Sequence, residues 1–227
     1  MKLLLFDIDG TLIRTAGIGR DSMEEAFAQV FGPENGLKDI EMMGRTDPSI
    51  LKEVLQNHNL VWSPTKELEF KETYFKILEK NIDSPKPGKR LCPGILELLT
   101  ALNERTDIAL GLLTGNWRYG SYLKLKHFNI DNFFSIGAFS DDSEDRNQLV
   151  PFAVERFKKE YDQSLTSKDI FVIGDTPKDI ACARPHGAHS VAVATGFHNL
   201  ESLEAANPDF LFENFEETDK IIKIFTN

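Results

Sequence analysis

The stretch Lys2-Leu3-Leu4-Leu5-Phe6-Asp7-Ile8-Asp9-Gly10-Thr11 decides the fold of this chain. Residues 2–6 form a short apolar run, which predicts a buried strand. Asp7 and Asp9 follow at the end of that strand, and Gly10 allows the chain to turn sharply behind them. Because ligands of open α/β sheets bind outside the carboxyl ends of the strands, this stretch predicts a site at the end of the first strand.

The two carboxylates in this stretch indicate a metal-assisted site. Burying two carboxylates without a cation is costly, so their position at a strand end suggests a hard cation and a negatively charged substrate. A surface turn is the alternative, because Asp-Gly is a common turn dipeptide. That alternative explains Gly10, but it does not explain why Asp7 closes an apolar strand.

Composition predicts an ordinary soluble globular protein. With 227 residues, the chain is long enough for one large domain or for a domain with an insertion. Its formal net charge of -10 disfavours binding to nucleic acid or to anionic membranes. An anionic substrate would then need a divalent cation and a few local Lys or Arg residues to reverse the sign of the field at the site.

The sequence also predicts a cytoplasmic location. No apolar stretch is long enough to span a bilayer, and the apolar run at the N-terminus ends in two acids, unlike a signal peptide. The two cysteines, Cys92 and Cys182, fit a reducing compartment. A monomer is the default expectation for the oligomeric state.

Strands and helices alternate along most of the chain. Strands are predicted at 2–7, 108–113, 133–137, 169–174, 189–193 and 209–211. Helices between the later strands are predicted at 94–104, 117–127, 148–160 and 177–184. This alternation predicts right-handed crossovers and a mostly parallel sheet, which is the α/β fold class.

Residues 15–86 interrupt that alternation with segments of helical spacing. The first of these is Arg20–Phe31, where apolar residues recur on one face. Two further helices are predicted to begin at Asp47-Pro48 and at Ser63-Pro64, because a capping residue precedes proline at the first helical position. The Pro- and Gly-rich residues 84–89 are typical of a linker that returns to the sheet.

We therefore predict two domains. An α/β core domain comprises residues 1–14 and 87–227, and an all-helical cap domain is inserted at residues 15–86. The alternative is that the inserted helices pack directly on the sheet as part of one domain.

Two more strand ends carry polar groups. Thr114-Gly115-Asn116 follows the strand at 108–113 and could donate hydrogen bonds to phosphate oxygens, although the same residues could form a simple turn. Gly174-Asp175-Thr176-Pro177-Lys178-Asp179 follows another strand and again places an acid directly after an apolar run. Asp179 would lie in the first turn of a helix, where the helix dipole favours a carboxylate in any case. Lys178 is either a structural counter-charge or a substrate contact.

Taken together, these motifs resemble the haloacid dehalogenase superfamily in its phosphatase branch. The resemblance is carried by residues 7–11, 114–116 and 174–179, with flanking matches at 44–47 and 92–95. It implies a Rossmann-like core with a helical cap inserted after the first strand, as in the phosphoglycolate phosphatase-like and β-phosphoglucomutase-like members.

One departure from the family pattern concerns the cation that holds the phosphoryl group. The family usually has a lysine before the last motif, but this chain has none between His127 and Phe157. Arg146 is the best substitute by position, although an isolated cation in an acidic loop is ordinarily a solvated charge. We favour Arg146 over Lys178, because a guanidinium can hold a phosphoryl group through a planar fork.

The resemblance implies a mechanism for small phosphate monoesters. Asp7 is the nucleophile that forms an aspartyl-phosphate, and Asp9 is the general acid and base. Mg²⁺ is held by Asp7, by the backbone carbonyl of Asp9 and by Asp175. Thr114 and the chosen cation hold the phosphoryl oxygens, while Asp179 orients a metal-bound water or the cation.

Substrate contacts are expected from the same motifs and from the cap. The predicted substrate-binding residues are Gly10, Thr11, Arg45, Thr46, Gly115, Asn116 and Arg118. Arg45 is the first candidate for substrate selectivity, and the alternative is that it merely pairs with a surface acid.

Three other functions use a similar site. A dehalogenase would need neither Mg²⁺ nor the second carboxylate, so Asp9 and Asp175 argue against it. A sugar phosphomutase would return the phosphoryl group to a sugar, and an inactive relative would only bind. The sequence leaves open which phosphorylated metabolite is the substrate.

Overall fold

The computed structural model of the protein describes residues 1–226 and is built around one parallel sheet. The strands are β1 (Lys2–Phe6), β2 (Ile13–Arg14), β3 (Arg90–Leu91), β4 (Ile108–Leu113), β5 (Ile136–Ala138), β6 (Ile170–Gly174), β7 (His189–Val193) and β8 (Phe210–Phe212). Six of them form the sheet in the order β5-β4-β1-β6-β7-β8, with every neighbouring pair parallel. The predicted α/β fold class is confirmed.

Helices account for about half of the rest of the described chain. They are α1 (Ile18–Phe31), α2 (Asp47–Asn57), α3 (Pro64–Ile82), α4 (Ile95–Asn103), α5 (Arg118–His127), α6 (Leu149–Tyr161), α7 (Pro177–Ala183), α8 (Leu200–Ala205) and α9 (Thr218–Thr226). Within residues 1–226, none of these helices is both long and apolar enough to cross a membrane.

Apolar side chains cover both faces of the sheet. Leu4 and Phe6 of β1 pack on one face with residues of α4 and α9. Leu3 and Leu5 pack on the other face with residues of α6 and α7. A strand buried on both faces has no polar positions to alternate, which explains the nearly continuous apolar runs in the sequence.

The register of the sheet brings three motifs to one edge. Phe6 at the end of β1 pairs with Leu112 of β4 and with Ile173 of β6. The residues that follow these three strands therefore emerge side by side at their carboxyl ends, which is the edge where ligands bind in this kind of sheet.

The inserted helices have an apolar core of their own. It is formed by residues of α1, α2 and α3, by Leu37 and Ile40 between α1 and α2, and by Trp117, the N-cap residue of α5. The short antiparallel ribbon of β2 and β3 lies where the chain enters and leaves this helical segment. The helical cap is confirmed as part of the fold class, while its exact boundaries at 14/15 and 86/87 stay a prediction.

Two local predictions differ from the structure. The strand expected at 133–137 begins only at Ile136, because residues 131–133 form a single 3₁₀ turn. The prediction that Asp47 caps α2 is wrong, since Thr46 is the N-cap and Asp47 is the first helical residue. The Asp47 carboxylate instead accepts a hydrogen bond from the backbone N–H of Trp117.

Two phenylalanines of α6 test how much this core contributes to stability. Phe157 is 0% exposed and Phe152 is 36% exposed. We expect Phe157→Ala to lower the free energy of unfolding by about 3–5 kcal/mol, because it leaves a cavity between α6 and the sheet. Phe152→Ala is the matched control and should cost less than about 1 kcal/mol. Urea denaturation measures both, and equal losses would contradict the packing described here.

Candidate active site

Three buried carboxylates meet at the carboxyl edge of the sheet. Asp7 follows β1, Asp175 follows β6, and Asp179 lies in the first turn of α7. One oxygen from each of them lies within 4.8 Å of an oxygen of the other two. Mutual repulsion in a buried place makes such a cluster costly unless cations offset it.

Arg146 supplies part of the opposing charge. Its side chain is 8% exposed, and its Nη2 lies 3.4 Å from Asp7 Oδ1 and donates to Asp179 Oδ1. The same guanidinium reaches the backbone carbonyls of Gly44 and Leu113, at 3.4 Å each. Arg146, which the sequence showed as the one cation of an acidic loop, is therefore a buried partner of the carboxylates rather than a solvated charge.

The pKa values of two of these acids are raised, chiefly by burial and further by the neighbouring acids. Burial raises the pKa of Asp7, with Asp179 adding to the shift and Arg146 opposing it. Burial also raises the pKa of Asp175 well above its ordinary value, with Asp179 and Asp7 adding to the shift. One guanidinium thus leaves the cluster short of positive charge, which fits an oxygen-ligated divalent cation.

Neighbouring residues hold Asp175 in place. The Thr11 hydroxyl donates to Asp175 Oδ1 at 3.2 Å. Gly10 has φ +88, and a Cβ there would collide with the Asp175 carboxylate. Gly10 lines the cavity described below, while Thr11 is fully buried beneath it, so the structure places the Thr11 hydroxyl on an acid rather than on the cavity.

The loop after β4 presents a hydroxyl and a backbone amide. Thr114 Oγ1 accepts hydrogen bonds from the backbone N–H and from Nδ2 of Asn116, so its own hydroxyl hydrogen is free to donate. Gly115 lies against the backbone of Arg45, and a Cβ at this position would collide with the Arg45 carbonyl. The cap can approach the loop this closely only because residue 115 has no side chain.

Lys178 and Asp179 have separate contacts although they are adjacent in sequence. Lys178 Nζ donates to the carbonyl of Met43 at 2.9 Å and lies 3.5 Å from Glu41, so it faces the cap. Asp179 Oδ2 accepts from the backbone and hydroxyl of Thr176, which forms the capping box of α7. Asp179 therefore both caps its helix and holds Arg146.

Three further residues predicted to bind substrate, Arg45 and Thr46 of the cap and Arg118 of α5, have other partners. Arg45 is ion-paired with Glu53, and the Thr46 hydroxyl donates to the carbonyl of Glu144 at 2.7 Å. The Arg118 guanidinium lies over the ring of Phe139. Of these three predicted residues, only Arg45 lines the cavity.

A cavity of about 680 Å³ lies between the cap and the edge of the sheet. Its core side includes residues of the three motifs and Arg146. Its cap side is mostly apolar and includes Met23, Ile40, Ile50 and Tyr74. A small ligand held there would meet the carboxylate cluster at one end and the cap at the other.

Sequence reasoning missed one cation of this cavity, Lys124 on α5. Its side chain is 4% exposed, and Nζ donates to Asp9 Oδ2 at 2.5 Å and to Asn116 Oδ1 at 2.7 Å. The sequence did contain one signal that Lys124 is buried. It lies three and four residues after Ser121 and Gly120, which places all three on the same buried face of the helix.

Asp47 joins the cap to the core by two hydrogen bonds. Its backbone N–H donates to the carbonyl of Gly115, and its Oδ2 accepts from the backbone N–H of Trp117, both at 2.8 Å. Burial raises the pKa of Asp47 from 3.8 to about 7, against the opposing influence of Lys124. A carboxylate is thus buried at the contact between cap and core.

The raised pKa of Asp47 predicts a pH-dependent stability. The folded protein binds this proton more tightly than the unfolded chain, so the stability contributed by the protonated form is lost as the pH rises from about 4 to about 7. Because one pKa unit corresponds to about 1.4 kcal/mol, we expect Asp47→Asn to be at least about 1 kcal/mol more stable than wild type at pH 8. The difference should shrink at pH 4. Urea denaturation at both pH values measures it, and a constant difference would contradict the shift.

Comparisons with known proteins agree with this arrangement. A family model described as haloacid dehalogenase-like hydrolase matches residues 4–193. A phosphoglycolate phosphatase from Synechococcus elongatus is 26% identical over 220 residues, covering 94% of this chain and 93% of that protein. A pyrophosphatase PpaX from Oceanobacillus iheyensis is 21% identical over 225 residues, covering 98% and 97%. Both matches therefore span core and cap alike.

Solved structures show the same fold. The crystal structure of β-phosphoglucomutase from Clostridium difficile superimposes with a TM-score of 0.74 at 17% identity, covering 100% of this chain and 97% of that one. The chain belongs to the haloacid dehalogenase-like hydrolase family, which confirms the resemblance recognised in its sequence. It is a phosphatase-type hydrolase, as its motifs predicted.

Proposed function

We propose that this protein is a Mg²⁺-dependent phosphatase that hydrolyses small phosphate monoesters through an aspartyl-phosphate on Asp7. The observation that supports this most strongly is the position of Asp7. It lies at the floor of the cavity, 3.4 Å from Arg146 and within the cluster formed with Asp175 and Asp179. The proposal includes a cytoplasmic monomer as the working form.

The donor set of the cluster fits Mg²⁺. Carboxylate oxygens are the ligands this ion prefers, and the three clustered acids face a single guanidinium, that of Arg146. Asp7, Asp175 and the backbone carbonyl of Asp9 would hold the ion. When bound, Mg²⁺ would offset the repulsion between the Asp7 carboxylate and a phosphate dianion.

The side chains divide the chemistry between nucleophile and proton donor. A carboxylate oxygen of Asp7 attacks phosphorus as the bond to the ester oxygen breaks. The departing oxygen takes a proton from Asp9. Water then attacks the aspartyl-phosphate and gives its proton to Asp9, which restores both acids and releases inorganic phosphate.

Three donors hold the phosphoryl oxygens in this proposal. They are the Thr114 hydroxyl, the backbone amide of Gly115 and the guanidinium of Arg146. Among the described residues the Thr114 hydroxyl serves only as an acceptor, so its hydrogen can be donated to a phosphoryl oxygen, and Arg146 already lies beside Asp7. Donors fixed in this way before the substrate binds stabilise the charge of the transition state without reorganisation.

The cap decides the leaving group, because the core contacts only the phosphoryl group. The names of the relatives put phosphoglycolate and pyrophosphate first among the substrates to test. A sugar phosphomutase would use the same aspartyl-phosphate, and incubation with sugar phosphates followed by phosphorus NMR separates isomerisation from release of phosphate. Arg45 stays a candidate for selectivity once its pairing with Glu53 is broken.

Removing the nucleophile tests the mechanism directly. Asp7→Asn keeps the shape of the side chain and should abolish turnover of p-nitrophenyl phosphate, by at least about 10³-fold. Wild-type turnover should require Mg²⁺ and stop with EDTA. Asp219→Asn changes an exposed acid of α9 and is the control, which should match wild type. Wild-type rates in the Asp7 variant would refute the mechanism.

A pair of variants tests which cation binds the phosphoryl group. Arg146→Met should lower kcat/KM by about 10²–10³-fold, because it removes a fixed donor to the transition state. Lys178→Met should lower it less than about tenfold, because the lysine contacts Met43 and Glu41 of the cap instead. Steady-state kinetics with p-nitrophenyl phosphate measure both. The reverse order of effects would assign the role to Lys178.

A further inference from the structure

Lys124 lies in an unusual place for a lysine. It projects from the buried face of α5, between the loop after β4 and the cap, and its side chain is 4% exposed. The ammonium lies beneath Gly19 of α1, where a Cβ would come within 3.3 Å of Nζ. The absence of a side chain at Gly19 leaves room for this charge.

The contacts of Lys124 form a closed triangle. Nζ donates to Asp9 Oδ2 at 2.5 Å and to Asn116 Oδ1 at 2.7 Å. Asn116 Nδ2 donates to the same Asp9 oxygen at 2.9 Å and to Thr114 Oγ1 at 2.8 Å. The triangle links Asp9 to the loop that carries Thr114, so the two cannot shift independently.

The two bonds to Asp9 converge on a single oxygen. Lys124 and Asn116 both donate to Oδ2, and within residues 1–226 no side chain donates to Oδ1. The Asp9 side chain is 40% exposed and lines the cavity. The carboxyl group is therefore held at one oxygen and free at the other.

A purely structural role does not explain why a charged side chain is buried at position 124. A lysine can usually extend its flexible stem and keep its ammonium in water. Burial of the charge without a good partner is expensive, and an apolar side chain of similar length would fill the same space at less cost. The ammonium is instead paired with Asp9, the residue assigned to proton transfer.

We propose that Lys124 is a positioning residue that, together with Asn116, holds Asp9 by Oδ2 and directs Oδ1 toward the leaving oxygen of the substrate. This inference rests on the proposed function. The step it serves is the transfer of a proton from Asp9 Oδ1 to the ester oxygen while the bond between that oxygen and phosphorus breaks.

The test compares two esters that differ in their need for that proton. The nitrophenolate of p-nitrophenyl phosphate leaves without protonation, whereas the alkoxide of phosphoglycolate or of another alkyl phosphate needs it. The specificity constant kcat/KM reports formation of the aspartyl-phosphate and departure of the leaving group. We expect Lys124→Met to lower kcat/KM for the alkyl ester by about 10²-fold or more, and for the aryl ester by less than about tenfold.

Two further variants make the result interpretable. Lys126→Met removes the same charge from an exposed position of α5 and should change neither value. Lys124→Gln keeps a donor without the charge and should give an intermediate loss for the alkyl ester. It also provides a second measurement if Lys124→Met folds poorly, which circular dichroism would reveal. The Mg²⁺ concentration for half-maximal activity should be the same in the two Lys124 variants as in the wild-type protein.

The outcomes separate the two hypotheses. Mg²⁺-dependent turnover by the wild-type protein tests the proposed function, and the ratio of the two ester effects tests Lys124. An equal loss for both esters, or no loss in either Lys124 variant, would overturn the positioning role while the phosphatase activity stands. A selective loss for the alkyl ester would support it.

Discussion

One electrostatic constraint governs the arrangement of the site: three carboxylates are buried close together, and a single guanidinium contacts them. Asp7 follows β1, whereas Asp175 and Asp179 both lie in the short segment after β6, and Arg146 contacts Asp7 and Asp179. The strands before these acids must therefore end side by side at the edge of the sheet, so that the carboxylates can reach the guanidinium of Arg146. The register between β1 and its two neighbours provides that alignment. Packing of the apolar strands thus fixes the positions of the charged groups, and Arg146 offsets part of the repulsion among the three acids.

The cap completes the site through backbone groups more than through side chains. The segment around Arg45 presses on Gly115, while Asp47 exchanges hydrogen bonds with the loop after β4. These contacts place the apolar side of the cavity opposite the acids. The loop that carries Thr114 is consequently also the loop on which the cap rests.

The sequence predicted most of the fold because strand ends leave a clear pattern. Asp7, Thr114 and Asp175 each follow an apolar run, and that local signal placed them at one edge. Arg146 was identified only through the resemblance to a family, because contacts with acids that are distant in sequence produce no periodic pattern. Lys124 was missed because a lysine at a helical position ordinarily indicates a solvated face. The ribbon of β2 and β3 was too short, at two residues a strand, for any pattern to show.

The antiparallel ribbon has a consequence for how such proteins diversify. Ile13 pairs with Leu91 and Arg14 with Arg90, so the two ends of the inserted segment are neighbours in space. A segment whose ends already meet can be exchanged for a longer or shorter one without disturbing the register of the sheet. New substrate ranges can therefore evolve by grafting at this junction, while the reaction chemistry is inherited unchanged from the core.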